Sequence, residues 1–263
     1  MRHLPDNNLA YPVLIQLDTN KCGSGFFLSY KKSLYLITAK HVLFDLDSGE
    51  FLGDKEMSVT AYSENQTIKD PIVISIQKET VDKESKKHST FDIAVVRIGV
   101  IENNSEGGEK AVMLHGVKVI KRPDGCSIVW VKDTAFKKYD EVYVSNDVFV
   151  FGYPISIGDK RYEQIDRSKP LLRKGIVAGK NEKKRTIILD LPIYFGNSGG
   201  LVIEASQNEK GGTNFLAIGI ISEYIPYVEE LVSTQRKEVA VVNTHNSGYS
   251  VAVPIDTIRD LIS

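Results

Sequence analysis

Cysteine and long apolar runs are both scarce in this sequence. Its 263 residues include two cysteines, Cys22 and Cys126, which are too few for a disulfide framework, so we expect two free thiols. Residues 1–8 hold a proline and an acid where a secretory signal needs an apolar run. The apolar runs, such as Phe215–Ile221, are far shorter than a membrane span. These absences predict a cytoplasmic protein that does not bind a membrane.

The sequence also lacks an excess of charge of either sign and any metal-binding motif. The formal net charge is −1 at pH 7 and the isoelectric point is near 6.5, so no overall field favours nucleic acid. The sequence has neither a His-Glu-x-x-His motif nor the paired-cysteine spacing of zinc sites. We therefore expect no metal, no cofactor and no nucleic-acid partner.

Short apolar runs, separated by glycine and polar turns, make up most of the chain. Such a pattern, without alternating long helices, predicts an all-β barrel or sandwich. One helical turn is predicted at Ala39–Leu43, and apolar residues at 255, 258, 261 and 262 predict a short C-terminal helix. The charged segment Lys78–Ser89 predicts a solvated loop.

A serine among glycines is the first candidate for chemistry. Ser198 is flanked by Gly196, Gly199 and Gly200 and is followed by the apolar run Leu201–Ile203. Glycine allows strained dihedrals and close approach to a ligand. Such a turn can hold the hydroxyl outward and point the N–H groups of Gly196 and Ser198 at one spot, where they would stabilise an oxyanion. An ordinary loop before a strand shows the same pattern.

A serine nucleophile needs a base, and the base needs a group that orients it. His41 directly follows an apolar strand, where a sheet edge can hold its ring. Asp92 precedes the apolar run Ile93–Ile98, and a buried carboxylate there requires a partner. Both residues are candidates for these roles. A half-buried polar histidine and an acid that caps a turn are the plainer interpretations.

Four motifs in order resemble those of the trypsin/chymotrypsin-fold serine proteases, in the style of bacterial trypsin-like and high-temperature-requirement proteases. They are Gly23-Ser24-Gly25-Phe26, Thr38-Ala39-Lys40-His41, Phe91–Val96 and Gly196–Gly200. The order His, Asp, Ser is that of the chymotrypsin triad. The resemblance covers residues 11–262.

The resemblance implies two six-stranded antiparallel β-barrels with the triad in the cleft between them. Residues 1–120 would form the barrel that carries His41 and Asp92, residues 121–253 the barrel that carries Ser198, and residues 254–263 a C-terminal helix. No PDZ domain is expected after residue 263. The resemblance implies that Ser198 is the nucleophile, His41 the general base and acid, and Asp92 the residue that fixes the imidazole tautomer. Gly196 and Ser198 would supply the oxyanion hole.

The expected substrate pocket lacks the acidic residue of a pocket that accepts Lys or Arg. By the resemblance it is lined by Pro192, Ile220, Ile221, Ser222, Tyr224 and Ser250. Pro192 stands where an acid would hold Lys or Arg, while Tyr224 and Ser250 make the slot shallower, and the Ser222 hydroxyl is expected to help hold Asp92. Glu223 is placed on the rim, where it would be solvated. We expect small or medium apolar P1 residues such as Ala, Val or Leu to be preferred.

Two other functions compete with the peptidase. An α/β-hydrolase shares the Gly-x-Ser-x-Gly pattern, but it needs a helix after the serine and a later histidine, and only His245 comes later here. A binding or scaffold module of the same fold would cleave little and has no chemical need for an intact triad. The segment Glu223–Asn246 fits a surface loop, a partner-binding element or a gate. An activating protein partner therefore stays open beside a protein or peptide substrate.

Overall fold

Strands account for most of the molecule. The structure is a computed structural model that describes residues 4–63, 70–104, 107–158, 164–207, 212–232 and 239–263. These residues form sixteen strands, arranged in an N-terminal sheet and a C-terminal barrel. The predicted all-β fold is confirmed.

The N-terminal sheet contains ten of these strands. They are β1 (Pro12–Leu17), β2 (Cys22–Tyr30), β3 (Ser33–Thr38), β4 (Glu56–Ala61), β5 (Ile72–Gln77), β6 (Ser85–Lys87), β7 (Ala94–Asn103), β8 (Glu109–Met113), β9 (Val117–Lys121) and β10 (Val131–Lys132). The main hydrogen-bonded path runs β6-β7-β3-β2-β1-β4-β5-β9, so this curled sheet has two ends and more strands than the six expected. β10 pairs in parallel with β2. The helical turn α1 (Lys40–Leu43) follows β3, as predicted.

The C-terminal barrel is closed and has the six antiparallel strands expected. They are β11 (Asp147–Gly152), β12 (Leu171–Asn181), β13 (Thr186–Asp190), β14 (Leu201–Gln207), β15 (Thr213–Val232) and β16 (Val239–Pro254), in the order β11-β12-β13-β16-β15-β14. A 3₁₀ turn (Ile255–Ile258) and α3 (Arg259–Ile262) form the predicted C-terminal helix. Further 3₁₀ turns lie at Asn8–Ala10, Asp133–Ala135 and Tyr139–Glu141.

One shared core joins the sheet to the barrel. The N-terminal sheet contributes Phe26, Leu28, Ile37, Ile93 and Val95, and the barrel and C-terminal helix contribute Leu201, Ala217, Ile220, Val253, Ile255, Ile258 and Ile262. Burial of such side chains stabilises each by about 1.5–3 kcal/mol relative to exposure. The packing holds the loops after β3 and before β7 against the loop before β14, where the candidate site lies.

The predicted solvated loop at Lys78–Ser89 is wrong. α2 (Lys78–Glu84) and β6 occupy most of it, because Thr80 and Val81 are buried against the N-terminal core. The Thr80 hydroxyl also donates a hydrogen bond to the carbonyl of His115, 3.1 Å away. Two buried residues in a charged run are too short a pattern to indicate a helix, and tertiary packing decides the structure here.

β15 and β16 continue well beyond the barrel as a two-stranded hairpin. β14 pairs with β15 as far as Ile220, and β13 pairs with β16 only between Tyr249 and Ala252. The two long strands go on pairing with each other out to Val232 and Val239. The described part of Glu223–Asn246 is therefore a β-hairpin, not an irregular loop.

No helix in the described part of the chain is long and apolar enough to cross a membrane. Cys22 is half-buried and Cys126 is buried, and the two thiols are not joined. Burial raises the pKa of the Cys22 thiol, which disfavours the reactive thiolate.

Candidate active site

The loop before β14 holds Ser198 in a tight glycine turn. The N–H of Asn197 donates to the carbonyl of Tyr194, 2.9 Å away, and Gly196 has φ +97° at the third position of this turn. That position of a type II turn requires a positive φ, which glycine adopts readily. Gly199 has φ +85°, and a Cβ there would lie 2.0 Å from the carbonyl oxygen of Ser24. The sequence therefore needs glycine on both sides of Ser198.

The N–H groups of Gly196 and Ser198 are left free in this turn. The intervening and following amides are all used, since Asn197 bonds Tyr194, Gly199 bonds the carbonyl of Ile221 at 2.7 Å, and Gly200 bonds that of Asn197 at 2.9 Å. No hydrogen bond from Gly196 N or Ser198 N to another described residue is present. Two free donors on one turn can bind an oxyanion.

His41 and Asp92 meet where α1 faces the start of β7. Oδ2 of Asp92 lies 2.8 Å from Nδ1 of His41, and Oδ1 accepts the backbone N–H of His41 at 3.0 Å. The hydroxyl of Ser222 donates to the same Oδ2 at 2.7 Å. Burial, the largest single influence, acts to raise the pKa of Asp92, but the contacts from His41 and Ser222 outweigh it and lower the pKa below its ordinary value. Asp92 is thus held as a carboxylate that fixes the ring of His41.

Ser198 is connected to the His41–Asp92 pair through Ser222. The Ser198 hydroxyl donates to the carbonyl oxygen of Ser222, 3.1 Å away. Among the described residues, the ring of His41 bonds only to Asp92. Proton transfer between Ser198 and His41 therefore requires rotation of the serine side chain, and such contacts are often loose before substrate binds.

Ser24 joins the N-terminal sheet to the loop that carries Ser198, a role that the sequence alone does not indicate. It is fully buried on β2, and its hydroxyl donates to the carbonyl of Gly196 at 2.6 Å and accepts the N–H of Tyr153 at 2.9 Å. Its backbone N–H donates to the carbonyl of Ser198 at 2.8 Å. β2 therefore anchors the loop of the barrel that carries Ser198. The Gly-Ser-Gly-Phe motif marks Ser24 in the sequence, but the residues that Ser24 contacts are far away in sequence, so the motif alone does not identify them.

Residues 23–209, well over half of the chain, match the trypsin-like peptidase domain family. The chain belongs to that family. The resemblance drawn from the four motifs is thereby confirmed. A comparison with curated proteins finds no match.

Several solved structures share the fold at low identity. The HtrA-type protease AlgW with a tripeptide has a TM-score of 0.51 at 15% identity, over 98% of this chain and 60% of that one. The thermostable serine protease AL20 from an extremophilic microorganism has 0.51 at 12%, over 97% and 96%. Human heparin binding protein has 0.52 at 11%, over 99% and 95%. This chain thus spans about three fifths of AlgW and nearly all of the other two.

The predicted pocket residues of this trypsin-like peptidase do not all line one surface. Ile220 and Ile221 have no exposed surface and pack into two different cores. Pro192 is half-buried. Ser250 is fully buried, and its hydroxyl has no partner among the described residues.

Tyr224 covers the place expected for the pocket. It lies directly opposite Ser250 in the pairing of β15 with β16, is half-buried and packs on the barrel core. Its ring meets the exposed Phe195 edge-on, with the ring centroids 6.4 Å apart. Glu223, beside it, is exposed. Phe195 lies three residues before Ser198, so this ring contact links Tyr224 to the loop that carries Ser198.

Proposed function

We propose that this trypsin-like peptidase is a serine endopeptidase. Ser198 is the nucleophile, His41 the general base and then acid, and Asp92 the carboxylate that fixes the His41 tautomer. The N–H groups of Gly196 and Ser198 form the oxyanion hole. We also propose that it acts in the cytoplasm, on protein or peptide substrates.

The reaction follows from the roles of these groups. The Ser198 hydroxyl rotates from the Ser222 carbonyl to His41 Nε2 and transfers its proton there as its oxygen attacks the peptide carbonyl carbon. The carbonyl oxygen becomes an oxyanion between the two free N–H groups. The C–N bond then breaks, and His41 gives the proton to the leaving amine. Water, deprotonated by His41, hydrolyses the acyl-enzyme and restores Ser198.

The observation that carries the proposal is the hydrogen-bonded group built on Ser222. This one residue donates its hydroxyl to Asp92 and offers its carbonyl to Ser198. Asp92 in turn bonds Nδ1 of His41, which leaves Nε2 available to the nucleophile. These contacts bring four polar residues from distant parts of the chain together.

Tyr224 and Ser250 support a preference for small or medium apolar P1 residues. None of the predicted pocket residues is an acid that could pair with a buried cation, which would be costly to leave unpaired, and Glu223, next to Tyr224, is exposed. Larger side chains would have to displace the Tyr224 ring from Phe195. An activating protein partner would act by moving this ring.

The second candidate is a binding module that cleaves little. Two observations favour it: the Ser198 hydroxyl bonds Ser222 and not His41, and Tyr224 covers the slot. One structural neighbour is named a heparin binding protein, so we carry over binding as the alternative. It predicts a folded protein that neither turns over peptides nor reacts with an active-site probe.

Labelling with a fluorophosphonate probe separates the two functions. We expect wild-type protein to label at Ser198 and to cleave casein, and Ser198→Ala to do neither. Ser127→Ala, which removes an exposed serine on another surface, is the matched control and should behave as wild type. Wild-type protein that folds but does not label would exclude the endopeptidase, as would equal labelling of Ser198→Ala.

A further inference from the structure

Asp92 lies in a short loop between two paired strands. β6 and β7 pair in antiparallel register on either side of this loop. The N–H of His88 extends their pairing, because it donates to the carbonyl of Ile93 at 3.0 Å. The connection left between these two residues, 89–92, is called the Asp92 loop below. Its conformation decides where the Asp92 carboxylate points.

The ring of His88 holds the backbone of the Asp92 loop. Its Nδ1 atom accepts the N–H groups of Thr90 and Phe91, each 3.0 Å away. The His88 side chain is only 12% exposed, and its ring packs on that of Phe91 with the centroids 4.8 Å apart. Asn and Asp side chains commonly accept nearby backbone N–H groups in turns. Here an imidazole supplies the acceptor, and it takes two amides directly before Asp92.

Three further contacts of His88 tie the Asp92 loop to its surroundings. Because Nδ1 accepts hydrogen bonds, the ring proton lies on Nε2, which faces Oδ2 of Asp260 on α3 at 3.6 Å. The carbonyl of His88 accepts the Lys40 ammonium at 3.1 Å, and Lys40 directly precedes His41 in α1. With its N–H in the strand pairing, His88 joins β7, the C-terminal helix and the turn that carries His41.

The Asp92 carboxylate has little freedom to move without losing its partners. Oδ1 accepts the backbone N–H of His41 at 3.0 Å, while Oδ2 meets Nδ1 of His41 at 2.8 Å and the Ser222 hydroxyl at 2.7 Å. A small misplacement of such a group lowers a reaction rate strongly. The residue before Asp92 is Phe91, whose N–H is held by His88. The His88 ring therefore acts on the backbone from which the carboxylate projects.

We propose that His88 is a positioning residue of the active site, whose Nδ1 atom holds the Asp92 loop in the conformation in which Asp92 bonds His41. The proposal deepens the endopeptidase function and rests on it. Among the described residues, the His88 ring hydrogen-bonds to neither His41 nor Ser198, so it acts through Asp92. None of the predicted pocket residues lies in the Asp92 loop, so loss of the acceptor should lower kcat and leave KM nearly unchanged.

Three substitutions of His88 separate the hydrogen-bond acceptor from the packing of the ring. His88→Ala removes both, and His88→Phe keeps a ring against Phe91 without an acceptor. His88→Asn loses the ring but places Oδ1 as many bonds from Cβ as Nδ1. We expect kcat to fall by about 10–100-fold in the Ala and Phe variants, and the Asn variant to stay within about threefold of wild type. His115→Ala, which removes an exposed histidine, is the matched control and should behave as wild type.

The proton between His41 and Asp92 gives a second readout that needs no activity. Its ¹H NMR resonance should lie far downfield in wild type and His88→Asn, because the hydrogen bond to the carboxylate is strong. In folded His88→Ala and His88→Phe it should broaden or vanish, because a displaced carboxylate exposes the proton to exchange with water. A His88→Asn variant as impaired as His88→Ala, or a His88→Phe variant that matches wild type, would overturn the proposal. Absence of both peptide cleavage and Ser198 labelling in wild type would instead refute the endopeptidase function, and the NMR comparison would still decide the role of His88.

Discussion

Replacing Ser24 with alanine tests how the N-terminal sheet supports the loop that carries Ser198. The change removes one buried hydroxyl that bonds the Gly196 carbonyl at 2.6 Å and the Tyr153 N–H at 2.9 Å. Gly196 and Tyr153 are themselves buried, so water cannot easily replace the lost partner. Leaving a buried polar group unsatisfied costs about 1–3 kcal/mol. Two such groups, the Gly196 carbonyl and the Tyr153 N–H, lose their partner, and relaxation of the loop recovers part of the cost. We expect the free energy of unfolding to fall by about 2–4 kcal/mol in total.

Ser250 provides a matched control for this experiment. It is also fully buried, but its hydroxyl has no partner among the described residues. Ser250→Ala removes the same atom without breaking a hydrogen bond, so its unfolding free energy should change by less than about 0.5 kcal/mol or rise slightly. Urea denaturation of the two variants and wild type measures both values.

The kinetic effect of Ser24→Ala separates positioning from stability. Gly196 carries one of the two free N–H groups, and a loosened turn misplaces it. We expect kcat to fall by about tenfold under fully folded conditions, less than the roughly 10²–10³ that follows loss of an oxyanion donor. Similar unfolding free energies for Ser24→Ala and Ser250→Ala, or an unchanged kcat for Ser24→Ala, would refute this account of the loop.

Of three further predictions, two concern the candidate site and one concerns a buried ion pair of the barrel. Asp92→Asn should lower kcat on the order of 10⁴-fold without unfolding the protein. Because the pKa of Asp92 is lowered in the folded state, wild type should be more stable than this variant by a full margin above the ordinary carboxyl pKa, and the margin should shrink as the pH falls through the lowered pKa. A constant difference in unfolding free energy between pH 7 and pH 3 would contradict this expectation. Tyr224→Ala should shift the P1 preference towards larger apolar residues in a peptide library read by mass spectrometry, whereas the exposed Tyr143→Ala should not; identical profiles would rule out Tyr224 as the cover. Lys137→Met should destabilise the fold by about 3–5 kcal/mol because it strands the fully buried Glu204 carboxylate, and Lys137→Met/Glu204→Leu should recover most of that loss in thermal unfolding; no recovery would count against the pairing.

Local patterns in the sequence were sufficient for the fold class. Alternating apolar runs with glycine turns predicted the strands, and the spacing of residues 255, 258, 261 and 262 predicted the C-terminal helix. These features depend on near neighbours, which a sequence displays directly. The motif around Ser198 could also be recognised, because a turn with two positive φ values restricts its own residue types to glycine.

The contacts between distant segments were decided by the tertiary structure alone. Ser24 and Gly196 are 172 positions apart, and no periodicity connects them. The paired strands Pro226–Val232 and Val239–Asn246 contain a proline and two glutamates and show no alternating apolar face, so composition could not separate a loop from a hairpin. Ile220 and Ile221 are neighbours in sequence yet face different cores, because successive residues of a strand point to opposite sides. The sequence by itself determined the fold class and the residue types available for chemistry. Which of these residues come into contact depended on how the sheet and the barrel pack together, because that packing results from many long-range contacts that no local pattern encodes.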